Sequence, residues 1–276
     1  MKFSVITVCL NAGDLLWKTA ETVLNQTYTD WELLIKDGGS EDGSVDRLRE
    51  KLAEFYPALQ DKVKICTEPD KSIYDAMNQA VQHASGEYFY FLNCGDLLYS
   101  AEALAELAEQ MQDKTGALIF YGDVYDKLRG SVVRSNPKIN DFACYRHVPC
   151  HQACVYHREL FAERGYLLEY RVRADYEHFL WSYFVKKANP TYLPVVLAEY
   201  EGGGFSETEE NRARSAGEHR QIVSHYMGKG QVLCYRLLML LTLQPLRTFA
   251  AENRVMGKWY QRLKRAIYDI GNCETH

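Results

Sequence analysis

Apolar and polar positions alternate in two different ways along the first hundred residues. Short apolar runs rich in β-branched and aromatic residues, typical of buried strands, occupy 3–8, 31–36, 63–68 and 88–92. Between them, apolar residues recur every three or four positions, as on one face of an amphipathic helix. The repeated strand–helix order predicts an α/β fold with a mostly parallel sheet flanked by helices.

Local signals mark where the helices begin. Asp14 is a candidate cap for the first helix, and Ser72 with Asp75 resembles a capping box in which Asp replaces the usual Glu. Beyond residue 140 the alternation of strand and helix patterns weakens. The sequence there predicts a smaller helical part that closes over the sheet edge. We therefore expect one large α/β domain over 1–217 and a helical, basic C-terminal extension over 218–276.

Polar residues follow four of the predicted strands, at 9–11, 37–40, 68–71 and 93–96. In parallel sheets, ligands bind beyond the carboxyl ends of the strands. Taken alone, the ending at 93–96 is typical of a simple turn, because Gly and Asp are common turn residues. Four successive polar strand ends favour a ligand site instead.

Composition and charge narrow the class of protein. A net charge of -5 and a pI near 5.9 argue against a nucleic-acid partner, which calls for a basic surface. No signal-peptide pattern follows Met1, and no apolar run reaches the roughly 20 residues that span a bilayer. We expect a cytoplasmic protein whose eight cysteines are reduced.

Common nucleotide motifs are missing from the sequence. The first predicted strand is followed by CLNAGDLLWK, which contains neither a Gly-x-Gly-x-x-Gly nor a Gly-Lys-Ser/Thr motif. It also lacks the glycine- and arginine-rich loop of a sugar nucleotidyltransferase, although that activity remains an alternative. Three cysteines and three histidines cluster further along the chain, at Cys144, His147, Cys150, His151, Cys154 and His157. Such residues can bind zinc, but their spacings match no common zinc-finger pattern and favour buried thiols and solvated histidines.

Four ordered segments resemble the family 2 glycosyltransferases. They read SVITVCLNAG, VLNQTYTDWELLIKDGGSEDGS, EPDKSIYDAMNQAVQHASGEY and FLNCGD. The resemblance is strong over 3–100 and thinner through 151–152, 174–177 and the GGGFS loop. It implies a Rossmann-like GT-A fold, with a nucleotide-binding half over 1–100 and an acceptor-side half over 101–217.

The same resemblance implies an activity and its partners. The family transfers a sugar, with inversion, from a nucleotide-diphosphate donor (UDP-, GDP- or dTDP-linked) to an acceptor hydroxyl. The motifs are most similar to bacterial enzymes of capsule, colanic-acid and O-antigen assembly. This implies a lipid-linked saccharide acceptor and a peripheral position at the inner face of the cytoplasmic membrane. A catalytically silent sugar-nucleotide-binding or scaffold protein is the alternative.

Carried over by position, the resemblance assigns ligands to the strand ends. The nucleotide would contact Val8, Leu10, Asn11, Asp37, Asp70, Lys71 and Asn93. Asp96 would bind Mg²⁺ or Mn²⁺ and the diphosphate, although Asn93 and Gly95 stand where the family has further carboxylates. Mg²⁺ often needs only one or two carboxylates besides phosphate oxygens and water.

Asp175 falls where the family keeps its catalytic base. An inverting transfer needs one base to take the proton of the attacking hydroxyl. The alternative is that Asp175 only caps the helix that follows, with Glu177 as the nearby substitute. By the same resemblance, His151, Gln152 and Arg173 would contact the diphosphate or the acceptor.

Two further segments have open interpretations. The loop at 202–214 would close over the donor and exclude water. The basic helices near the C-terminus either expose a solvated face or bind the anionic membrane surface.

Overall fold

The strands and helices predicted for the first hundred residues are all present in the structure. This computed structural model describes residues 1–114, 116–200 and 208–241. The strands are β1 Phe3–Cys9, β2 Trp31–Asp37, β3 Val63–Thr67 and β4 Tyr88–Phe91. The helices between them are α1 Leu15–Leu24, α2 Ser44–Phe55 and α3 Ile73–Val81, with a 3-10 helix Pro57–Lys62 ahead of β3.

The second half has shorter and less regular elements. Its strands are β5 Leu97–Leu98, β6 Ile119–Asp126, β7 Ser131–Val133, β8 Cys154–His157 and β9 Pro190–Tyr200. Its helices are α4 Ala103–Met111, α5 Asp141–Arg146, a 3-10 helix His151–Ala153, α6 Glu159–Glu163, α7 Ala174–Phe184, α8 Glu209–Tyr226 and α9 Lys229–Leu241.

All of these strands belong to one sheet, in the order β3-β2-β1-β4-β8-β6-β9-β5, with β7 paired to β6. Strands β3, β2, β1 and β4 are mutually parallel, and β9 runs parallel to β6. Strand β8 lies antiparallel between β4 and β6. Each parallel ladder is longer than each antiparallel one, so the prediction of a helix-flanked, mostly parallel α/β sheet is confirmed.

The sheet has an apolar core on each face, because successive residues of a strand point to opposite sides. Val5 packs in the core that includes residues of α1, α2 and α4, whereas Ile6 packs in the core that includes residues of α3, α6 and α7. Burial of such a side chain contributes roughly 1.5–3 kcal/mol to stability. Because both faces of β1 are covered, all seven of its residues are buried.

Helix starts agree only partly with the predicted caps. Ser72 caps α3 by accepting the Asp75 N–H (3.2 Å), but the Asp75 carboxylate accepts from the Lys71 N–H (2.9 Å) rather than closing a capping box on Ser72. Asp14 occupies the cap position of α1, and its side chain makes no capping hydrogen bond there.

The C-terminal region begins with two helices. Helix α8 runs through residue 217, where the sequence analysis divides the chain, and that division stays a prediction. The basic segment beyond residue 241 lies outside the described residues. In the described ranges, no helix combines the length and the hydropathy that crossing a bilayer demands.

Candidate active site

The loops that follow β1 and β2 are joined by hydrogen bonds. Asn11 has a left-handed backbone (φ 50°), a conformation that Asn tolerates better than most residues. Its N–H donates to Ser40 Oγ (2.8 Å), and its Oδ1 accepts from the Glu41 N–H (2.9 Å). The Gly38 N–H donates to the Cys9 carbonyl oxygen (2.9 Å). The two strand ends therefore form one surface.

Asp37 is the last residue of β2 and is only 1% exposed. Its Oδ1 accepts from the Ser40 hydroxyl (2.5 Å), and both carboxylate oxygens lie 3.1 Å from the Ser40 nitrogen. These bonds orient the carboxylate within the surface formed by the loops after β1 and β2. Each carboxylate oxygen has two lone pairs, so acceptor capacity remains for a ligand.

Lys36 ties the loop after β3 to the end of β2. Its buried Nζ donates to the carbonyl oxygens of Glu68 (2.6 Å) and Asp37 (3.1 Å), and it lies 3.2 Å from Asp70 Oδ2. A Cβ atom on Gly38 would approach Asp70 Oδ2 to 2.7 Å, so only glycine lets this carboxylate pack so closely. Lys36 was missed in the sequence analysis, although a lysine inside a buried apolar run is itself a signal.

The other predicted nucleotide contacts differ in exposure. Val8 is buried in the core of the sheet, whereas the Leu10 side chain is exposed beside Gly38. Lys71 is exposed and uses its backbone N–H to bind Asp75. Asn93 Oδ1 is buried and has no hydrogen-bond partner among the described residues.

Asp96 follows β4 on a turn that contains Gly95 with φ 103°. The Gly95 N–H donates to Thr19 Oγ1 (2.9 Å), and the Thr19 hydroxyl donates to the Asp96 carbonyl oxygen (2.9 Å). Asp96 Oδ2 accepts from Gln152 Nε2 (3.0 Å). Burial raises the pKa of Asp96 to about 6, against the smaller lowering effect of the Gln152 hydrogen bond.

The 3-10 helix His151–Ala153 connects two parts of the site. The Cys150 thiol donates to Gln152 Oε1 (2.8 Å), which leaves Nε2 to face Asp96. His151 stacks on Phe91 with ring centroids 5.5 Å apart, and its Nδ1 lies 3.9 Å from Asp175 Oδ2. Burial lowers the His151 pKa despite the Asp175 carboxylate, so the neutral imidazole is favoured and the contact is not an ion pair at neutral pH.

Asp175 lies in the first turn of α7, where Arg173 rather than Asp175 occupies the cap position. Its Oδ1 lies 2.9 Å from the Tyr74 hydroxyl, and its side chain is partly exposed. The segment before it is fixed by Glu218 of α8, which accepts from the backbone N–H groups of three successive residues, 171–173 (2.9–3.0 Å). The interpretation of Asp175 as a helix cap is wrong.

Two other predicted residues face neighbouring helices. Glu177 is buried and forms a two-bond ion pair with Arg164 (2.9 and 3.0 Å), which makes it a poor substitute base. Arg173 Nε donates to the carbonyl and hydroxyl oxygens of Ser215, and its guanidinium lies over Tyr176. A contact of Arg173 with diphosphate or acceptor stays a prediction.

The thiol and imidazole cluster does not assemble into a metal site. In 1–114, 116–200 and 208–241, no group of three or more His, Cys, Asp or Glu side chains is placed to hold an ion. Cys144 and Cys154 are buried in the core, as the thiol interpretation expects. The first part of the 202–214 loop lies outside the described residues.

The structure thus brings several predicted residues together. Asn11, Asp37 and Asp70 lie on the connected ends of β1–β3, while His151 and Gln152 lie between Asp175 and Asp96. Tyr74 and Glu218, which orient Asp175 and its helix, were missed because their partners are distant in sequence.

Similarities to known proteins agree with this arrangement. Residues 4–171 match the family described as Glycosyl transferase family 2. A PGL/p-HBAD biosynthesis glycosyltransferase of Mycobacterium bovis is 35% identical over 210 residues, covering 75% of this chain and 79% of the relative.

Two solved structures share the fold at low sequence identity. S. aureus TarS 1-349 in complex with UDP has a TM-score of 0.65 at 15% identity, over 92% of this chain and 75% of that one. The mannosyltransferase PcManGT from Pyrobaculum calidifontis, in complex with GDP-Man and Mn²⁺, has a TM-score of 0.64 at 15% identity, over 94% and 83%. The fold is therefore GT-A, and this chain belongs to the family 2 glycosyltransferases.

Proposed function

We propose that this enzyme transfers a sugar from a nucleotide-diphosphate donor to an acceptor hydroxyl with inversion of the anomeric centre. One observation carries the proposal: the 3-10 helix His151–Ala153 faces Asp96 through Gln152 and Asp175 through His151. A carboxylate suited to the metal ion of the donor's diphosphate and a carboxylate suited to the acceptor's proton thus border the same short segment.

The nucleotide half of the site lies at the ends of β1–β4. In our proposal Asp37 accepts from the ribose or base, with Leu10, Asn11 and the backbone at Val8 supporting the base. Asp70 and Lys71 contact the nucleoside, and Asn93 lies toward the phosphates. The hydrogen bonds of Ser40 and Lys36 support this, because they hold the two carboxylates in place before a ligand arrives.

The oxygens at the end of β4 suit Mg²⁺ or Mn²⁺. Asp96 offers a carboxylate, and the buried Asn93 Oδ1 is an amide oxygen without a hydrogen-bond partner in the described ranges. These two groups would hold the ion together with the diphosphate, because Mg²⁺ commonly uses few protein ligands besides phosphate and water. When bound, the ion neutralises charge on the departing nucleoside diphosphate.

Asp175 acts as the base in this mechanism. Its carboxylate takes the proton of the acceptor hydroxyl as that oxygen bonds to the anomeric carbon. The bond from that carbon to the diphosphate breaks on the opposite face, and the electron pair leaves with the nucleoside diphosphate. Tyr74 orients the carboxylate, and His151 supplies a neutral, polar wall beside it.

A donor screen followed by mutation tests this function. UDP-, GDP- and dTDP-sugars are compared for thermal stabilisation with Mn²⁺ and then for release of nucleoside diphosphate. Asp175→Asn should lower kcat about 100- to 10,000-fold. Asp46→Asn, the same change on the exposed face of α2, should leave it unchanged.

Three results would contradict the proposal in different ways. If no donor stabilises the protein, the nucleotide-sugar assignment fails. Release of pyrophosphate would identify a nucleotidyltransferase. Unchanged turnover in Asp175→Asn would remove the assignment of the base.

We also propose that the acceptor is a lipid-linked saccharide and that α9 contacts the membrane surface. Leu233, Leu237 and Leu240 are exposed at helical spacing on α9, which also carries Arg236. Each leucine that enters the interface contributes roughly 1.5–3 kcal/mol. Leu237→Glu should lower the fraction of protein that floats with anionic phospholipid vesicles. Leu128→Glu, at an exposed position after β6, should not; equal flotation of both variants would count against α9.

A further inference from the structure

A basic cavity adjoins the active site on the side of β6 and β7. Its volume is about 100 Å³, and its walls come from residues 124, 133–136 and 146–150. Single waters need about 10–15 Å³ on this measure, so the cavity admits a group of several heavy atoms. No residue of the nucleotide-binding strand ends 9–11, 37–40, 68–71 or 93–96 lines it.

Every ionisable side chain with a full charge that lines the cavity is basic. Arg134, Arg146 and His147 line it, and its described walls include no Asp or Glu. Arg146 is half-buried and has neither an ion pair nor a hydrogen bond with any described residue. Arg146 therefore brings to the concavity a guanidinium whose charge no described residue balances, and a planar guanidinium suits a bound carboxylate or phosphate. This local positive charge contrasts with the net charge of -5 of the chain.

The floor of the cavity is held in place by hydrogen bonds. The Ser135 N–H donates to Asp123 Oδ1 (2.8 Å), and its hydroxyl donates to the Gly122 carbonyl oxygen (2.6 Å). The Tyr121 hydroxyl donates to the Asn136 carbonyl oxygen (2.8 Å). Asp123, which accepts from Ser135 and Tyr192, is not among the residues that line the cavity. A preformed cavity of this kind loses little entropy when it binds a ligand.

The cavity lies beside the segment that carries His151 and Gln152. Its last residue is Cys150, whose thiol donates to Gln152 Oε1, and Gln152 in turn contacts Asp96. An anion in the cavity is therefore next to the segment that borders Asp175, yet its walls come only from the second half of the chain. This placement favours a group on the acceptor over the donor's diphosphate.

We propose that this cavity binds an acidic group of the acceptor, a carboxylate or a phosphate, so that the enzyme glycosylates an anionic saccharide. The inference rests on the proposed function, because it names the class of acceptor for the same site. Guanidinium groups suit both acids, since each offers paired oxygens to a planar set of N–H donors.

Calorimetric titration of the full chain tests anion binding without requiring turnover. The probes are glucuronate, glucose 6-phosphate and neutral glucose. We expect one of the two acids to bind, with glucose showing no heat of binding; the acid that binds identifies carboxylate or phosphate. Arg146→Gln should weaken that binding by about tenfold or more, the loss of a charge-assisted bond. Arg49→Gln, at an exposed position of α2, should leave it unchanged.

Further measurements keep the outcomes distinct. Arg146→Lys should restore part of the affinity, and its thermal midpoint and that of Arg146→Gln should match the wild type. Binding of glucose equal to that of the acids, or acid binding unaffected by Arg146→Gln, overturns the inference. A higher donor KM for hydrolysis in Arg146→Gln assigns the cavity to the donor and also overturns it. If acids bind as expected while no donor turns over, the proposed function fails but the assignment of an anion site to the cavity stands.

Discussion

Tyr74 shows how one hydroxyl orients the carboxylate that we propose as the base. Burial, reinforced by the charge of Asp175, raises the Tyr74 pKa well above its ordinary value, so the hydroxyl stays protonated and donates. Removing it takes a hydrogen bond from Asp175 and leaves that carboxylate without the hydroxyl that orients it. Tyr74→Phe should lower kcat about tenfold, with donor KM unchanged.

The control for this variant is Tyr183→Phe, which removes a hydroxyl that contacts Asp141 instead. It should leave kcat unchanged. A kcat of Tyr74→Phe equal to that of the wild type would show that Tyr74 only packs.

The raised pKa of Asp96 would make metal binding at our proposed site depend on pH. The folded protein keeps the Asp96 proton up to about pH 6, whereas the unfolded chain releases it near the ordinary value of 3.8. The free energy of unfolding of the metal-free protein therefore falls as the pH rises from about 4 to about 6. Because an ion binds the carboxylate form, Mn²⁺ affinity should rise through pH 6 and level off above it.

Calorimetric titration with Mn²⁺ between pH 5 and pH 7.5, with nucleoside diphosphate present, measures this effect. Asp96→Asn should bind Mn²⁺ weakly at every pH and, without metal, should unfold at a higher temperature than the wild type at pH 7. An affinity independent of pH across this range would exclude Asp96 as the ligand.

Site residues that follow from local sequence patterns could be predicted from the sequence, and those whose role depends on a partner distant in sequence could not. Asp37, Asp70 and Asp96 follow from the rule that parallel strands end at one edge. Tyr74 meets Asp175 across 101 positions and Lys36 meets Asp70 across 34, so no local pattern shows either pair. For Lys36, the apolar run of β2 shows only that a charged side chain is buried, because its partner Asp70 lies in the loop after β3.

At the scale of elements, α8 positions the start of α7. The Glu218 carboxylate accepts from the N–H groups of the three residues 171–173, which directly precede α7. Glu218→Gln keeps the size but loses the charge and one acceptor site. We expect the free energy of unfolding to fall by about 1.5–3 kcal/mol. Urea denaturation measures this, and kcat should fall because residues 171–173 lead into Asp175.

Glu209→Gln in the exposed first turn of α8 is the matched change. It removes a carboxylate from the same helix without touching α7. Equal denaturation midpoints for the two variants would mean that α8 holds α7 by apolar packing alone.

The less regular elements show where periodicity stops being informative. Strand β8 has only four residues and lies antiparallel between β4 and β6, a position set by tertiary pairing. The 3-10 helix His151–Ala153 is too short to leave a pattern, yet it connects the two carboxylates. Only the family resemblance pointed to residues 151 and 152 before the structure.

Across the whole molecule, the two ends of the sheet differ in role: the carboxyl ends of the strands form the candidate site, and the amino end holds a buried charge that stabilises the fold. At the amino end, buried Glu32 accepts from the Ser4 and Ser85 hydroxyls and from Lys2 and Lys64. Burial alone would raise its pKa, but the hydrogen bonds from Ser4, Lys64 and Ser85 together outweigh it and lower the pKa well below its ordinary value. This charge belongs to the fold, because it lies away from the strand ends that form the site.

Glu32→Gln should therefore lower the free energy of unfolding by about 1.5–3 kcal/mol at pH 7 and leave kcat of the folded enzyme unchanged. The lowered pKa stabilises the wild type above its unfolded value of 4.5, so its advantage should shrink as the pH falls below that value. Denaturation in urea from pH 3.5 to pH 7 measures both effects. The exposed Glu87→Gln is the control, and a constant difference across this range would contradict the assignment.

The 3-10 helix His151–Ala153 has a consequence for the sequence of events in turnover. Without a ligand, the Gln152 amide donates to Asp96 Oδ2, on the carboxylate that we propose for the metal and the donor. In this proposal donor binding rearranges that contact, and the adjoining His151 lies beside Asp175, the proposed base. We therefore expect compulsory-order kinetics in which the donor enters first and the nucleoside diphosphate leaves last. Double-reciprocal plots should intersect, with nucleoside diphosphate competing against donor; parallel lines would indicate a covalent intermediate instead.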